Sequence, residues 1–220
     1  SDTDTSLARY VRTTKTAITS SSPRAVSKKD MIPYNSVYCS EAQQLAEGMS
    51  TGNKTSSLMY GIQWDLVCKF LEVKGNWDTT TNTAQYYIKG NCTSWGNYKN
   101  SSITLVRGKY NISPKLSSST WTLFNIDTEN YVISSKTNNN TSYFQLLTTG
   151  ASEDTNEMNI YDFAGNEFEW TLEKNTNAYA PCSIRGGGYS NNGGDGPASH
   201  RTNYYLADSS DFIGLRPTLY

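Results

Sequence analysis

A chain of 220 residues has room for one domain with a continuous core, and 19 Lys and Arg against 20 Asp and Glu leave a net charge of −1. The basic residues are scattered along the chain, which argues against nucleic acid or an anionic membrane surface as a partner. No apolar run approaches the roughly 20 residues that cross a bilayer, so membrane insertion by this segment is not expected either.

Tyrosine is abundant at 16 residues, histidine occurs once, and mean hydropathy is −0.62. Polar, weakly charged composition of this kind is frequent in exported proteins. Any upstream targeting segment is expected to lie outside a chain that opens on Ser1. Cys39, Cys68, Cys92 and Cys182 are widely spaced, with no metal-ligand or dithiol motif. They are expected to be buried structural thiols, with one disulfide among them open if the chain is extracellular.

In "NSVYCSEAQQLAEGMSTGN" the residues Cys39, Ala42, Leu45, Ala46 and Met49 form one stripe of an amphipathic helix, which Gly48 and Gly52 help to end. Trp64, Val67, Cys68 and Leu71 predict a second helix, stopped by Gly75-Asn76. From about residue 76 short β-prone runs follow, "AQYYIKG", "SITLVRGKY" and "STWTLFNI", with a loop-rich insertion over about 90–150. Lys136 to Ser142, "KTNNNTS", is expected to be a mobile loop. "NIYDF", Ala164-Gly165-Asn166 and "EFEWTLE" suggest a strand-turn-strand unit. Phe168, Trp170 and Leu172 there alternate with Glu169, Thr171 and Glu173 as in a half-buried strand. "FIGLRPTLY" places Ile213, Leu215 and Leu219 on one side and Arg216 and Thr218 on the other, with Pro217 implying an edge or a strand end, and is expected to pin the chain into a sheet.

Catalytic chemistry has few candidates. One histidine cannot build a histidine-ligated metal centre. Asp195, Ser199 and His200 carry the letters of a triad, but neighbours in an extended segment face opposite ways. Cys182, shortly before Arg185, is the thiol best placed to be a nucleophile, against the simpler expectation of packing. Asp162, Glu167 and Glu169 bracket a tight turn, which suits oxygen ligation of calcium better than glycoside hydrolysis across a cleft. Arg185, Arg201 and Arg216 are expected to pair with these acids.

"MNIYDFAGNEFEWTLE", then "RGGGY", "PASHR" and "IGLRP", resemble the C-terminal half of the formylglycine-generating-enzyme, or sulfatase-modifying-factor, superfamily. The resemblance implies an α+β, C-type-lectin-like domain over residues 1–220, with two helices and loop-rich antiparallel sheets. It implies a structural calcium ion held by Asp162 and Glu169 through side chains and by Gly165 and Glu167 through main-chain carbonyls. The oxidising enzymes of the superfamily carry a cysteine pair between the R-G-G strand and the arginine matching Arg201, and this chain has none between Gly186 and Arg201. The histidine cluster of ergothioneine-type iron enzymes is also missing.

The sequence is similar as well to the variable proteins of diversity-generating retroelements, which place their variable residues between "RGG" and "G-[FL]-R-P". The expectation is therefore a bacterial, non-catalytic binding or display domain with its display segment in 186–216, secreted, at a cell surface or on a phage particle. Its ligand would be a protein or glycan. Tyr189, Tyr204 and Tyr205 are the expected anchors, with polar contacts from Asn191, Asn192, Asp195, His200, Asn203, Asp208, Ser210 and Asp211. Gly186 to Gly188, Gly193, Gly194 and Gly196 are expected to fold that surface over through positive-φ turns. The alternative is an oxidase or hydrolase that uses Cys182 or the Asp162 and Glu169 carboxylates.

Overall fold

Both helices begin after a tyrosine and are closed by the same device. A side chain three residues on folds back to the tyrosine amide: Tyr38 N–H donates to Glu41 Oε2 (3.0 Å) and Tyr60 N–H to Gln63 Oε1 (2.8 Å). The computed structural model describes residues 25–112, 121–125, 132–133, 137–138, 141–142 and 145–220. Helix α1 (Cys39–Glu47) buries Ala42, Leu45 and Ala46, and helix α2 (Gly61–Lys74) buries Trp64, Cys68 and Leu71, as the spacing predicts. Gly48 and Gly75 follow their last turns. Between the helices lies a strand that the periodicity does not reveal, β1 (Ser56–Leu58), buried throughout.

The centre is a four-stranded sheet made from the C-terminal third. Its strands are β2 (Phe168–Lys174), β3 (Cys182–Arg185), β4 (Arg201–Tyr204) and β5 (Ile213–Leu215), in the order β4-β3-β2-β5. Neighbours are antiparallel except β2 and β5, which run parallel with Trp170 opposite Leu215. β6 (Pro217–Leu219) leaves this sheet and pairs antiparallel with β1, so the chain is pinned as expected and Pro217 begins the strand that changes sheets. Leu219, however, is exposed and does not continue the buried side of Ile213.

α1 and the sheet share one apolar cluster around Val37, Leu58, Trp170 and Ile184, and Trp170 Nε1 donates to Val37 O (3.0 Å). A second cluster joins α2 to Ile88, Trp95, Tyr98 and Ala198, with Trp64 stacked on Phe163 at 4.2 Å. β2 is therefore covered on both sides: Phe168 through Thr171 are all buried, and the half-buried alternation does not hold there. Nor do "NIYDF" and "EFEWTLE" form a hairpin. Ile160–Tyr161 pairs with Asn156–Glu157, while β2 pairs with β3 and β5.

"AQYYIKG" departs from its β-prone reading. Tyr86–Gly90 is a π-helical turn, which seats Ile88 in the core while Tyr87 stacks on Trp77 (5.3 Å, 8°). Beyond it the insertion folds as short paired strands, including Lys109–Ile112 between Thr122–Leu123 and Gln145–Leu147. Of the tract expected to be a mobile loop, Lys136, Asn139 and Asn140 lie outside the described residues. Thr137–Asn138 pairs antiparallel with Thr141–Ser142.

Candidate functional site

The carboxylate-bearing turn is built from left-handed residues. Asp162, Gly165 and Asn166 all have positive φ, and a Cβ on Gly165 would collide with the Asn97 backbone. Asn166 Oδ1 accepts from Asn97 Nδ2 (2.9 Å) and Leu147 N–H (3.0 Å), which ties the turn to the insertion. Asp162, Glu167, Glu169 and Arg216 help line a cavity of about 250 Å³, together with Met31 and Tyr34. Burial raises the pKa of all three acids.

Each acid already has a protein partner. Asp162 accepts from Gly150 N–H (2.8 Å) and the Thr155 hydroxyl (2.7 Å). Glu169 takes both arms of the Arg216 guanidinium (2.8 and 2.7 Å), and Arg216 also donates to the Asp162 carbonyl (3.0 Å). Glu167 accepts from Asn35 Nδ2 (2.6 Å).

The two side chains expected to hold calcium are thus engaged by the fold itself, with Arg216 supplying the positive charge. Among the described residues no three His, Cys, Asp or Glu side chains come together as a metal site. As placed, the Asp162 and Glu169 carboxylates are occupied by protein donors. Of the three arginines expected to pair with these acids only Arg216 does so. Arg185 pairs with Asp65, and Arg201 with Asp65 (3.0 Å) and Glu173 (2.8 Å).

The glycine-rich stretch after β3 turns inward. Tyr98 Oη reaches two of its carbonyls, at 2.8 Å from Gly196 O and 3.2 Å from Gly186 O, and Trp64 Nε1 donates to Ala198 O (2.9 Å). Gly186 and Gly187 have positive φ as expected, whereas Gly188, Gly193, Gly194 and Gly196 do not. Close approach requires glycine at Gly193, where a Cβ would strike Thr93, and at Gly187, where one would strike the Gly196 carbonyl; a Cβ on Gly196 would lie 3.2 Å from the Gly187 Cα. Tyr189, an expected anchor, is buried at 6% exposure beside Leu146, with Trp121 and Phe212 packed against the pair. It cannot meet a ligand without unpacking.

The remaining expected contacts are divided. Asn191 turns its Oδ1 to Gly188 N–H (3.0 Å), and Asn192 donates to the exposed Asp195 (2.8 Å). The His200 ring lies 5.8 Å from Phe168, and burial followed by the Arg185 charge lowers its pKa. Ser210 and Asp211 serve the frame through their carbonyls, which accept from Ser36 N–H (2.9 Å) and Asn35 Nδ2 (2.7 Å).

β4 is an edge strand, paired only with β3 among the described residues. Its last residue, Tyr204, is half-buried, edge-on to Trp170 at 5.7 Å. Asn203 is half-buried too, and Asp208 caps the Ser209 N–H (2.9 Å). Tyr205 and Leu206 stand out at 58% and 55% exposure. The sequence reading missed Leu206, and its signal was an apolar residue directly after the Tyr204-Tyr205 pair.

Cys182 is packed in the sheet's apolar cluster at 7% exposure. Ser199 gives its N–H to Ile88 O (3.1 Å) and lines a separate cavity of about 350 Å³ with Asp65, Lys89, Arg185 and Arg201.

With this geometry in hand, the comparison with known families is decisive at one level. The "Sulfatase-modifying factor enzyme 1-like domain" model matches residues 5–218. The chain belongs to the sulfatase-modifying factor family. The two helices and antiparallel sheets are accordingly an α+β, C-type-lectin-like fold. The sulfatase-modifying factor family includes formylglycine-generating enzymes and members without catalysis. Among solved structures the chain is similar to that titled "Crystal Structure of CarF", at 13% identity and TM-score 0.47, covering 84% of this chain and 66% of that one. No curated protein matches. Among the described residues no helix is long and apolar enough to cross a membrane.

Proposed function

We propose that this sulfatase-modifying factor domain binds a protein or glycan without transforming it, through the rim formed by β4 and the turn that follows it. One contrast carries the reading. Tyr205 and Leu206 project beside an open strand edge, while Cys182 is packed and Glu169 is neutralised by Arg216. A large aromatic with few rotatable bonds, flanked by small polar groups, makes contact area at low entropic cost.

A peptide-display library and a glycan array serve as probes. Ligands enriched on the wild type should bind the Tyr205→Ala/Leu206→Ala variant roughly tenfold or more weakly, with the melting temperature unchanged. Equal binding by the variant would refute the rim.

The finer reading is a secreted or surface-displayed variable protein of a diversity-generating retroelement. It predicts that sibling copies from one source differ at outward positions such as Asn192, Asp195, Asn203, Tyr205 and Leu206. They should agree at Gly187, Tyr189 and Gly193. Differences spread evenly over the chain would contradict it.

A further inference from the structure

Two of the four cysteines open secondary-structure elements that pack together. Cys39 is the first residue of α1 and Cys182 the first of β3, and both belong to the cluster around Trp170. Cys39 packs against the cluster that contains Cys182, and the two thiols are neighbours close enough to influence each other. Cys39 is half-buried and Cys182 buried.

The other two cysteines are differently placed. Cys68 is buried on α2, where Trp64 and Arg185 are its neighbours. Cys92 donates to Tyr87 O (3.0 Å) and its sulfur accepts Ala198 N–H (3.1 Å), so the main chain holds it on two sides.

We propose that Cys39 and Cys182 close into a disulfide that staples α1 to the head of β3. The co-reactant is a low-molecular-weight disulfide such as oxidised glutathione. The Cys39 thiolate attacks one glutathione sulfur, forming a mixed disulfide and releasing one glutathione thiolate, which takes up the Cys39 proton. Cys182 then gives up its proton and attacks the Cys39 sulfur, and the second glutathione leaves as thiolate and is protonated. Two protein thiols lose two electrons in total, and one donor disulfide becomes two thiols.

Closure brings the sulfurs to about 2 Å and cross-links residues far apart in the chain, where such a bond removes much unfolded-state freedom. Burial and the neighbouring Cys182 push the Cys39 thiol up, so little thiolate is present at neutral pH. A slowly formed structural bond matches that chemistry better than a reactive nucleophile does. Because Cys182 registers opposite Tyr204, the staple also steadies the strand pair that ends at the exposed Tyr205. The bond does not depend on what the rim binds.

The test is made on the whole chain, incubated with oxidised glutathione, unfolded in the presence of an alkylating reagent and digested for mass spectrometry. A peptide pair joining Cys39 to Cys182 is expected, with Cys68 and Cys92 alkylated. The oxidised protein should melt roughly 5–10 °C above the reduced protein. Cys39→Ser should lose both the link and the gain in melting temperature, and Cys68→Ser should keep both. Four alkylated cysteines in the oxidised wild type, glutathione left on Cys39 without closure, or a link between another pair would each overturn the proposal. The peptide evidence comes from the wild type, so it stands even if a variant folds poorly.

Discussion

Residues 186–198 and 199–211 are adjacent and polar, yet one is built into the core and the other, which contains β4, edges it. The first holds six glycines and the second none. That difference explains the rest. Where one strand of backbone must lie against another, as Gly187 does on Gly196 and Gly193 on Thr93, there is no room for a side chain. Where side chains are to be presented, as at Tyr205 and Leu206, glycine offers nothing. Glycine density in this chain therefore marks where the segment enters the fold.

The sharpest way to break the comparison is to add one methyl group to each kind of glycine. Gly187→Ala should cost roughly 4 kcal/mol or more, because φ is +73° and the new Cβ meets the Gly196 carbonyl. Gly194→Ala, on the exposed side with only Gly90 O at 3.6 Å, should stay within about 0.5 kcal/mol. Urea titration of the two variants checks both; equal losses would erase the distinction. A tyrosine pair asks the same question of side chains. Tyr189→Ala should destabilise by about 3 kcal/mol, and Tyr205→Ala by less than about 0.5 kcal/mol. Denaturation midpoints measure the gap.

The smallest effect concerns the floor shared by both regions. Burial holds the Glu167 carboxyl well above its usual 4.5, with Glu169 and Asp211 adding repulsion. A carboxyl with a raised folded-state pKa binds its proton more tightly in the folded chain. Its contribution to stability is full below the unfolded-state value and is lost as pH rises toward the folded one. Glu167→Gln keeps an acceptor for Asn35 without the charge. It should stabilise the protein by about 1–2 kcal/mol at pH 8 and by little at pH 4. A gain equal at both pH values would show that Glu167 is not protonated by the fold.

The helices were legible because Ala42, Leu45 and Ala46, and Trp64, Cys68 and Leu71, repeat at helical spacing and local capping agrees. The carboxylate turn was legible as a turn, since Gly165-Asn166 demands left-handed backbone. Its electrostatics were legible only in part, since an arginine partner is expected but Arg216 is not singled out from Arg185 and Arg201. Whether Glu169 meets a metal ion or Arg216 depends on β5 lying parallel to β2, which no local pattern encodes. Tyr189 was misjudged for the same reason: its environment is made by Leu146 and Phe212, both distant in sequence. The π-helical turn at Tyr86 escaped because its β-prone composition is overridden by the stacking of Tyr87 on Trp77.

Tyr98 holds the Gly186 and Gly196 carbonyls from beneath with a single hydroxyl. An engineer could therefore randomise Asn203, Tyr205 and Leu206 as a combinatorial library. The buttress that shapes the scaffold is anchored elsewhere, so most library members should inherit the parent's foldability.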